Sequence, residues 1–190
     1  MTLPPAAPRR QLKHRRQIDV QVYLRGNGLW EVDALLTDIK TRDLPMDGGV
    51  RAAGEPIHEM LLRLVVNEQL DIVEAGSETR WMPYSGQCDS HGDAYQRLVG
   101  LNLLQNFRQD LRQRVGGVLG CTHITELAQV LPTAVVQAFA GEVIDTRGHA
   151  DGASRPFQID RCHALKSDGE VVRLFYPRWH RPAAVVPLTD

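Results

Sequence analysis

Long apolar runs, an excess of charge of either sign and paired cysteines are all missing from this chain of 190 residues. No uninterrupted apolar stretch approaches the ~20 residues of a membrane-spanning helix. The basic N-terminal residues are not followed by the apolar core of a secretory signal. The formal net charge is -1, so no global basic field attracts nucleic acid. The three cysteines, Cys88, Cys121 and Cys162, are odd in number and far apart. That excludes a disulfide framework and fits a reducing, cytoplasmic compartment. A phosphate-binding loop with its lysine, a dinucleotide-binding glycine fingerprint and a nucleophile elbow are also absent.

What is present is ordinary for a globular protein, with 43% hydrophobic and 24% charged residues. The length suits one core that needs no disulfide staples. Residues 1–13 are rich in Pro, Ala and Arg and are expected to be a disordered arm. A single α+β domain is expected over 14–182, with a tail at 183–190. The basic run of Arg9, Arg10, Lys13, His14, Arg15 and Arg16 fits a solvated arm or a docking element for an anionic partner.

Ile18, Val20, Val22 and Leu24 alternate with polar residues and predict a strand. Gly26-Asn27-Gly28 is a turn signal, and residues 29–40 return as a second strand. Trp30, Val32, Ala34 and Leu36 share one parity, which Asp38 and Lys40 continue. Charges that extend an apolar face form a rim salt bridge or line a pocket. Residues 41–56 read as a loop. Met60 to Val66 is apolar on both parities except at Arg63, so a central strand covered on both faces is expected. A fourth strand covers 70–81, and a loop at 83–90 carries Cys88. Helices are expected from Asp93, over 103–115, and from Thr122 to Pro132, which breaks or kinks the helix before it continues over 133–140. Phe157–Ile159 and Glu170–Phe175 predict a closing hairpin around Ser167-Asp168-Gly169. Strands first and helices second give an α+β fold, an antiparallel sheet with helices on one face.

Two cysteine loops hold the chemistry. Gly120-Cys121-Thr122-His123 opens a helix, where unpaired N–H groups and the helix dipole favour negative charge. Thiolate is the form of cysteine that binds metal or attacks an electrophile. Cys88 and His91 also precede a helix. Cys/His spacings of this kind suit zinc, iron or an iron–sulfur cluster. The alternative is that both cysteines are packing residues. His58 opens the central strand as a ligand, a proton-transfer group or a rim residue. Cys162-His163 form a third pair. His14, His149 and His180 fall in stretches with no functional signal.

Arg25 to Lys40 with its Gly-Leu-Trp and Leu-Thr-Asp-Ile-Lys, Gly54-Glu-Pro-Ile-His58, Gly117 to Glu126 and Cys162-His-Ala-Leu165 together resemble a bacterial family catalogued only as a domain of unknown function. That resemblance covers most of 14–180, and its neighbourhood implies aromatic-compound catabolism. Gly54 to about Ala140 distantly resembles the iron–sulfur scaffold (NifU/IscU-like) family. It implies a NifU/IscU-like core with ligands at His58, Cys88 and Cys121. Two departures stand out: His58 replaces a cysteine, and Met60 replaces an acid.

Four readings follow. In the first, His58, Cys88, Cys121 and His123 hold zinc or iron in a metal-dependent lyase or hydrolase. There Arg25, Arg63, Asp38 and Lys40 orient a small-molecule substrate and move protons. In the second, the chain carries an iron–sulfur cluster or sulfur with a partner protein. In the third, Cys121 is the nucleophile of a metal-free thiol enzyme, with His123 or His58 as base. In the fourth, the cysteines are structural. The expected partners are a small molecule, with no nucleic acid and no membrane, and a homodimer is admitted.

Overall fold

The structure, a computed structural model, describes residues 2–46, 48–147 and 154–182. The expected tail at 183–190 and His149 lie outside the described residues. The chain divides into two compact units, residues 1–135 and 136–190.

The first unit is built on a long hairpin. Strands β1 (His14–Leu24) and β2 (Trp30–Lys40) pair antiparallel from Leu24 opposite Trp30 to His14 opposite Lys40. The turn works because Gly28 takes φ +81, a region that costs glycine little. The Asn27 side chain then accepts a hydrogen bond from the Leu29 amide. After β2 the chain makes a small hairpin of β3 (Leu44–Met46) and β4 (Gly49–Arg51). The expected loop therefore contains a short sheet, and Arg51 from it lies over the Trp81 ring at 4.3 Å. Strands β5 (Pro56–Val66) and β6 (Ile72–Trp81) complete a four-stranded antiparallel sheet of order β1-β2-β5-β6. The α+β class and the antiparallel sheet are as the residue pattern implies.

Even-numbered residues of β2 and β5 form one buried face: Trp30, Val32, Ala34 and Leu36 beside Met60, Leu62, Leu64 and Val66. Helix α1 (Phe107–Val115) buries Phe107, Leu111 and Val115. Helix α2 (Thr122–Phe139) buries Ile124, Leu127, Ala128, Leu131 and Val135 along one stripe. These helical spacings supply the apolar cover the sheet needs. The opposite sheet face stays open. Arg63 on β5 is exposed, and Leu61 is only half-buried. The expectation that β5 is covered on both faces is thus corrected. Its apolar run belongs to one face plus the buried end at Val65.

Helix α1 begins at Phe107, four residues later than the periodicity suggests. Asn102 explains the delay. Its side-chain oxygen accepts from the amides of Leu104 and Gln105, and its amide nitrogen donates to Gln69 and Asp71. Such local bonds compete with helix formation. Helix α2 runs through Pro132 without a break.

In the second unit, residues 170–175 form helix α3 (Glu170–Phe175) in place of a strand, which overturns the expected closing hairpin. Gly169 supplies the extended residue before the helix. Glu170 and Arg173 pair at i,i+3 spacing, and Val172 is the buried member. A run of six residues cannot distinguish these periods by hydrophobicity alone. No helix among the described residues is long and apolar enough to cross a membrane.

Candidate functional site

The register of the sheet creates the site. Arg16 on β1 lies opposite Asp38 on β2, and Asp38 lies opposite His58 on β5. One row across three strands therefore carries a cation, an anion and an imidazole, directly below the apolar row Ile18, Leu36 and Met60. Pairing irregularities fall after Asp38 in β2 and between Glu59 and Met60 in β5. Bulges of this kind re-aim side chains beside functional sites.

Asp38 is the hub. It is 2% exposed, yet charged groups surround it. One carboxylate oxygen accepts from His14 Nε2 at 2.9 Å and Arg16 Nε at 2.8 Å. The other accepts from Arg16 Nη2 at 2.7 Å and His58 Nδ1 at 3.0 Å. Burial pushes the Asp38 carboxyl up, but the hydrogen bonds from Arg16, His58 and His14 outweigh it and hold it at about 2. The carboxylate is thus an anion at neutral pH, despite its burial. Arg16 is also held by Glu126 of α2, with Nη1 2.6 Å from the carboxylate oxygen.

Helix α2 brings the remaining groups. His123, in its first turn, stacks obliquely on His58 with ring centroids 4.0 Å apart. Its Nε2 is 3.9 Å from the Asp38 carboxylate. Burial lowers the pKa of both histidines; each is then affected by its charged neighbours, with Asp38 acting in the opposite direction. Both imidazoles are therefore neutral at pH 7, the state that ligates metal and accepts protons. Cys121 directly precedes the helix, and its carbonyl accepts from the Thr125 amide. Its sulfur lies 3.8 Å from His123 Nδ1 and 3.6 Å from Met60 Sδ.

The backbone at Cys121 is clamped. The fully buried Tyr95 hydroxyl donates to the Cys121 carbonyl at 2.7 Å and accepts from its amide at 2.9 Å. Gly120 permits this approach: a Cβ there would meet Val115 O at 2.8 Å and the Tyr95 hydroxyl at 3.0 Å. Burial pushes the Tyr95 phenol up, keeping it a neutral donor.

His58, Cys88, Cys121 and His123 all line one pocket of about 610 Å³. Asp38, His58 and His123 offer ligand atoms all within 4.8 Å of one another, and this His/Asp group could hold a metal ion. Neither Cys88 nor Cys121 belongs to that group. All three cysteines are free thiols. Cys88 sits in a turn, its amide bonded to the Tyr84 carbonyl at 2.8 Å. His91 meets Tyr95 edge-on at 5.5 Å.

The other sequence candidates lie elsewhere. Arg25 sits at the turn end of the hairpin, paired with Glu31 and Glu74. Trp30 and Asp38 are eight residue steps apart along β2, about 26 Å at the usual rise. Arg63 projects from the open sheet face and pairs with Asp33 at 2.6 Å. Lys40 ends β2 opposite His14. Cys162 and His163 are exposed in the second unit.

Three site residues escaped sequence reasoning: Arg16, His14 and Glu126. The first two fall in the basic run, which reads from sequence as a solvated arm or a docking element for an anionic partner. Counting back from the Gly26–Gly28 turn would have placed Arg16 opposite Asp38, because the hairpin register leaves no other partner.

No curated protein and no solved structure matches the chain, so the likeness to the iron–sulfur scaffold fold is not confirmed. Residues 14–137 match one family model, and their bounds take in β1 with Arg16, β5 with His58, and most of α2 with His123. The chain belongs to the family described as "Protein of unknown function (DUF2889)".

Proposed function

We propose that the chain is a metal-dependent enzyme acting on a small molecule, with Asp38, His58 and His123 as the ligands of one divalent ion. The observation that carries this reading is the convergence of two neutral imidazoles from the pocket wall on one ionised, buried carboxylate beneath it. Ligands bound at about 2.0–2.2 Å stand about 2.9–3.5 Å apart around a tetrahedral or octahedral ion. The 3.0 Å contact between Asp38 and His58 is a hydrogen bond, and an ion held between the two would displace its proton. His123, at 3.9 Å from the carboxylate, must close by less than 1 Å.

A two-histidine, one-carboxylate set suits iron(II) or zinc and leaves positions open for substrate. A bound ion would supply Lewis-acid polarisation of a substrate oxygen. His14 holds one oxygen of Asp38 and Arg16 holds both, which orients the carboxylate, the role outer partners play in metal sites. Nitrogen and oxygen donors favour an enzyme over cluster carriage, which relies on thiolates. The pocket leaves Cys121 beside His123 as a thiol that a substrate would meet.

The test is titration of chelator-treated protein with zinc and iron(II) against a chromophoric competitor. One ion should bind per chain. Single His58→Ala, His123→Ala and Asp38→Asn changes should each weaken binding at least 100-fold, and Cys88→Ala should not. Binding that survives all three changes would sink the reading.

One observation favours a second reading. Four hydrogen bonds to Asp38 come from Arg16, His14 and His58. In a metal-free enzyme Asp38 would orient His58 through Nδ1, leaving Nε2 as a general base. Wild-type protein that takes up no ion, yet is inactivated by His58→Gln on its substrate, would establish that alternative.

A further inference from the structure

The walls of the pocket carry information about its occupant that the metal ligands do not. Its lining includes three histidines, His58, His91 and His123, and one permanently charged side chain, Arg97. Among the described residues that line it there is no aspartate or glutamate. Asp38, beneath the lining, is neutralised by Arg16 at 2.7 Å. The Arg97 guanidinium is steadied at its exposed position by the Arg114 carbonyl, 3.4 Å from Nη1. Arg114 returns the contact, donating to the Arg97 carbonyl at 2.6 Å. Other arginines of this unit, Arg16, Arg25, Arg63 and Arg80, are paired with carboxylates. No carboxylate is paired with Arg97 among the ion pairs of the described residues.

The rest of the wall is apolar or aromatic: Met60, Pro83, Tyr84, Ala94, Val118 and Leu119. The N-terminus of α2 opens into the same space through Gly120 and Cys121. Its dipole adds positive potential there. A concave site with an apolar body, one fork-shaped cation and no competing anion selects a ligand of the matching shape.

We infer that the pocket takes an organic carboxylate with an apolar body, its carboxylate held by Arg97 and its body against Met60, Tyr84 and Leu119. This rests on the reading of the pocket as an enzyme site, and it names the substrate class for that site. A planar guanidinium binds a carboxylate through two parallel hydrogen bonds, which an amide of the same shape cannot reciprocate. The bound ion and Arg97 would then address different parts of the same molecule.

The experiment uses full-length protein stripped of metal with a chelator, so its outcome is independent of ion binding. Phenylacetate and octanoate are titrated by calorimetry, alongside phenylacetamide and octanamide of matched shape. Arg97→Gln is compared with Arg108→Gln, the same loss of charge at an exposed position of α1 outside the pocket. At least one carboxylate should bind at least 10-fold tighter than its amide. Arg97→Gln should erase that preference, and Arg108→Gln should keep it, with both variants melting within a few degrees of wild type. Equal affinity for acid and amide, no binding of either acid, or equal behaviour of the two variants would overturn the inference. The metal titration above would stand in each of these cases.

Discussion

The two faces of the sheet carry the same contact in opposite surroundings. On the buried face, Arg16 makes a two-pronged hydrogen bond to Asp38 at 2.8 and 2.7 Å, directly across β1 and β2. On the open face, Arg63 does the same to Asp33 at 2.6 and 2.7 Å, directly across β5 and β2. The geometry is nearly identical. The difference is solvent: the Asp38 side chain is 3% exposed and Asp33 34%. In water a pair of this kind contributes about 0–1 kcal/mol. Out of water its desolvation cost is recovered only when every acceptor is filled, as His14, Arg16 and His58 fill those of Asp38.

The largest predicted effect separates the faces by stability. Arg16→Met leaves the Asp38 carboxylate buried without its main partner and should cost about 3 kcal/mol or more in chemical denaturation. Arg63→Met should cost under about 1 kcal/mol. Comparable losses at the two positions would show that burial does not distinguish the pairs. Next comes function. Asp38→Asn should weaken zinc binding at least 100-fold, whereas Asp33→Asn should leave it unchanged. Arg16→Gln should fall between them, about 10–100-fold weaker, because it removes an outer partner and spares the ligand.

A pH titration sharpens the same contrast. The Asp38 carboxyl titrates at about 2 in the fold against an ordinary 3.8. A lowered folded value means the unfolded chain binds the proton more readily. The stabilisation is therefore complete above about pH 4 and is lost as pH falls toward 2. Chelator-treated wild type should lose stability through this window more steeply than Asp38→Asn. Parallel curves for the two proteins would remove the pair from the account of acid unfolding.

The hairpin, the positions of the four long strands along the chain and the helix after Cys121 were legible in the residues, because alternation, a glycine turn and a helical stripe are local signals. Asp38 stood out for the same reason, as a charge that continues the parity of Trp30, Val32, Ala34 and Leu36. Arg16 could be counted across the hairpin turn, but His58 and Glu126 could not, since a strand pattern says which face a residue takes and not what a more distant element brings to it. Arg16 looked like one of six basic residues in an arm until β2 paired with it. Arg25 and Arg63 looked equally suited to a site, yet one sits at the far end of the hairpin and the other on the outer face. Parity alone already separated Arg63: as an odd residue of β5 it cannot share the face of Met60 and Leu62. The final helix α3 was lost to a strand because Glu170 to Phe175 is too short for its period to show. His58, Cys88, Cys121 and His123 do share a pocket, but which of their atoms converge depends on rotamers that no spacing encodes.

The smallest effect isolates the pairing energy itself. In a double-mutant cycle, the coupling between Arg63 and Asp33 should be about 0.2–1 kcal/mol and fall further in 1 M salt, where screening acts within about 3 Å. The cycle for Arg16 and Asp38, with Leu or Met at both positions, should give a larger coupling that salt barely changes, because solvent ions do not reach Asp38. The double variant should recover much of the stability lost in Arg16→Met alone, since removing both charges removes the buried orphan. If instead the double variant is as unstable as the single one, the cost lies in lost packing of the Arg16 stem. The buried row would then be a structural brace that happens to border the pocket. Recovery of stability without recovery of zinc binding would mean that the sheet tolerates an apolar row at this position and that the charge is kept for the ion.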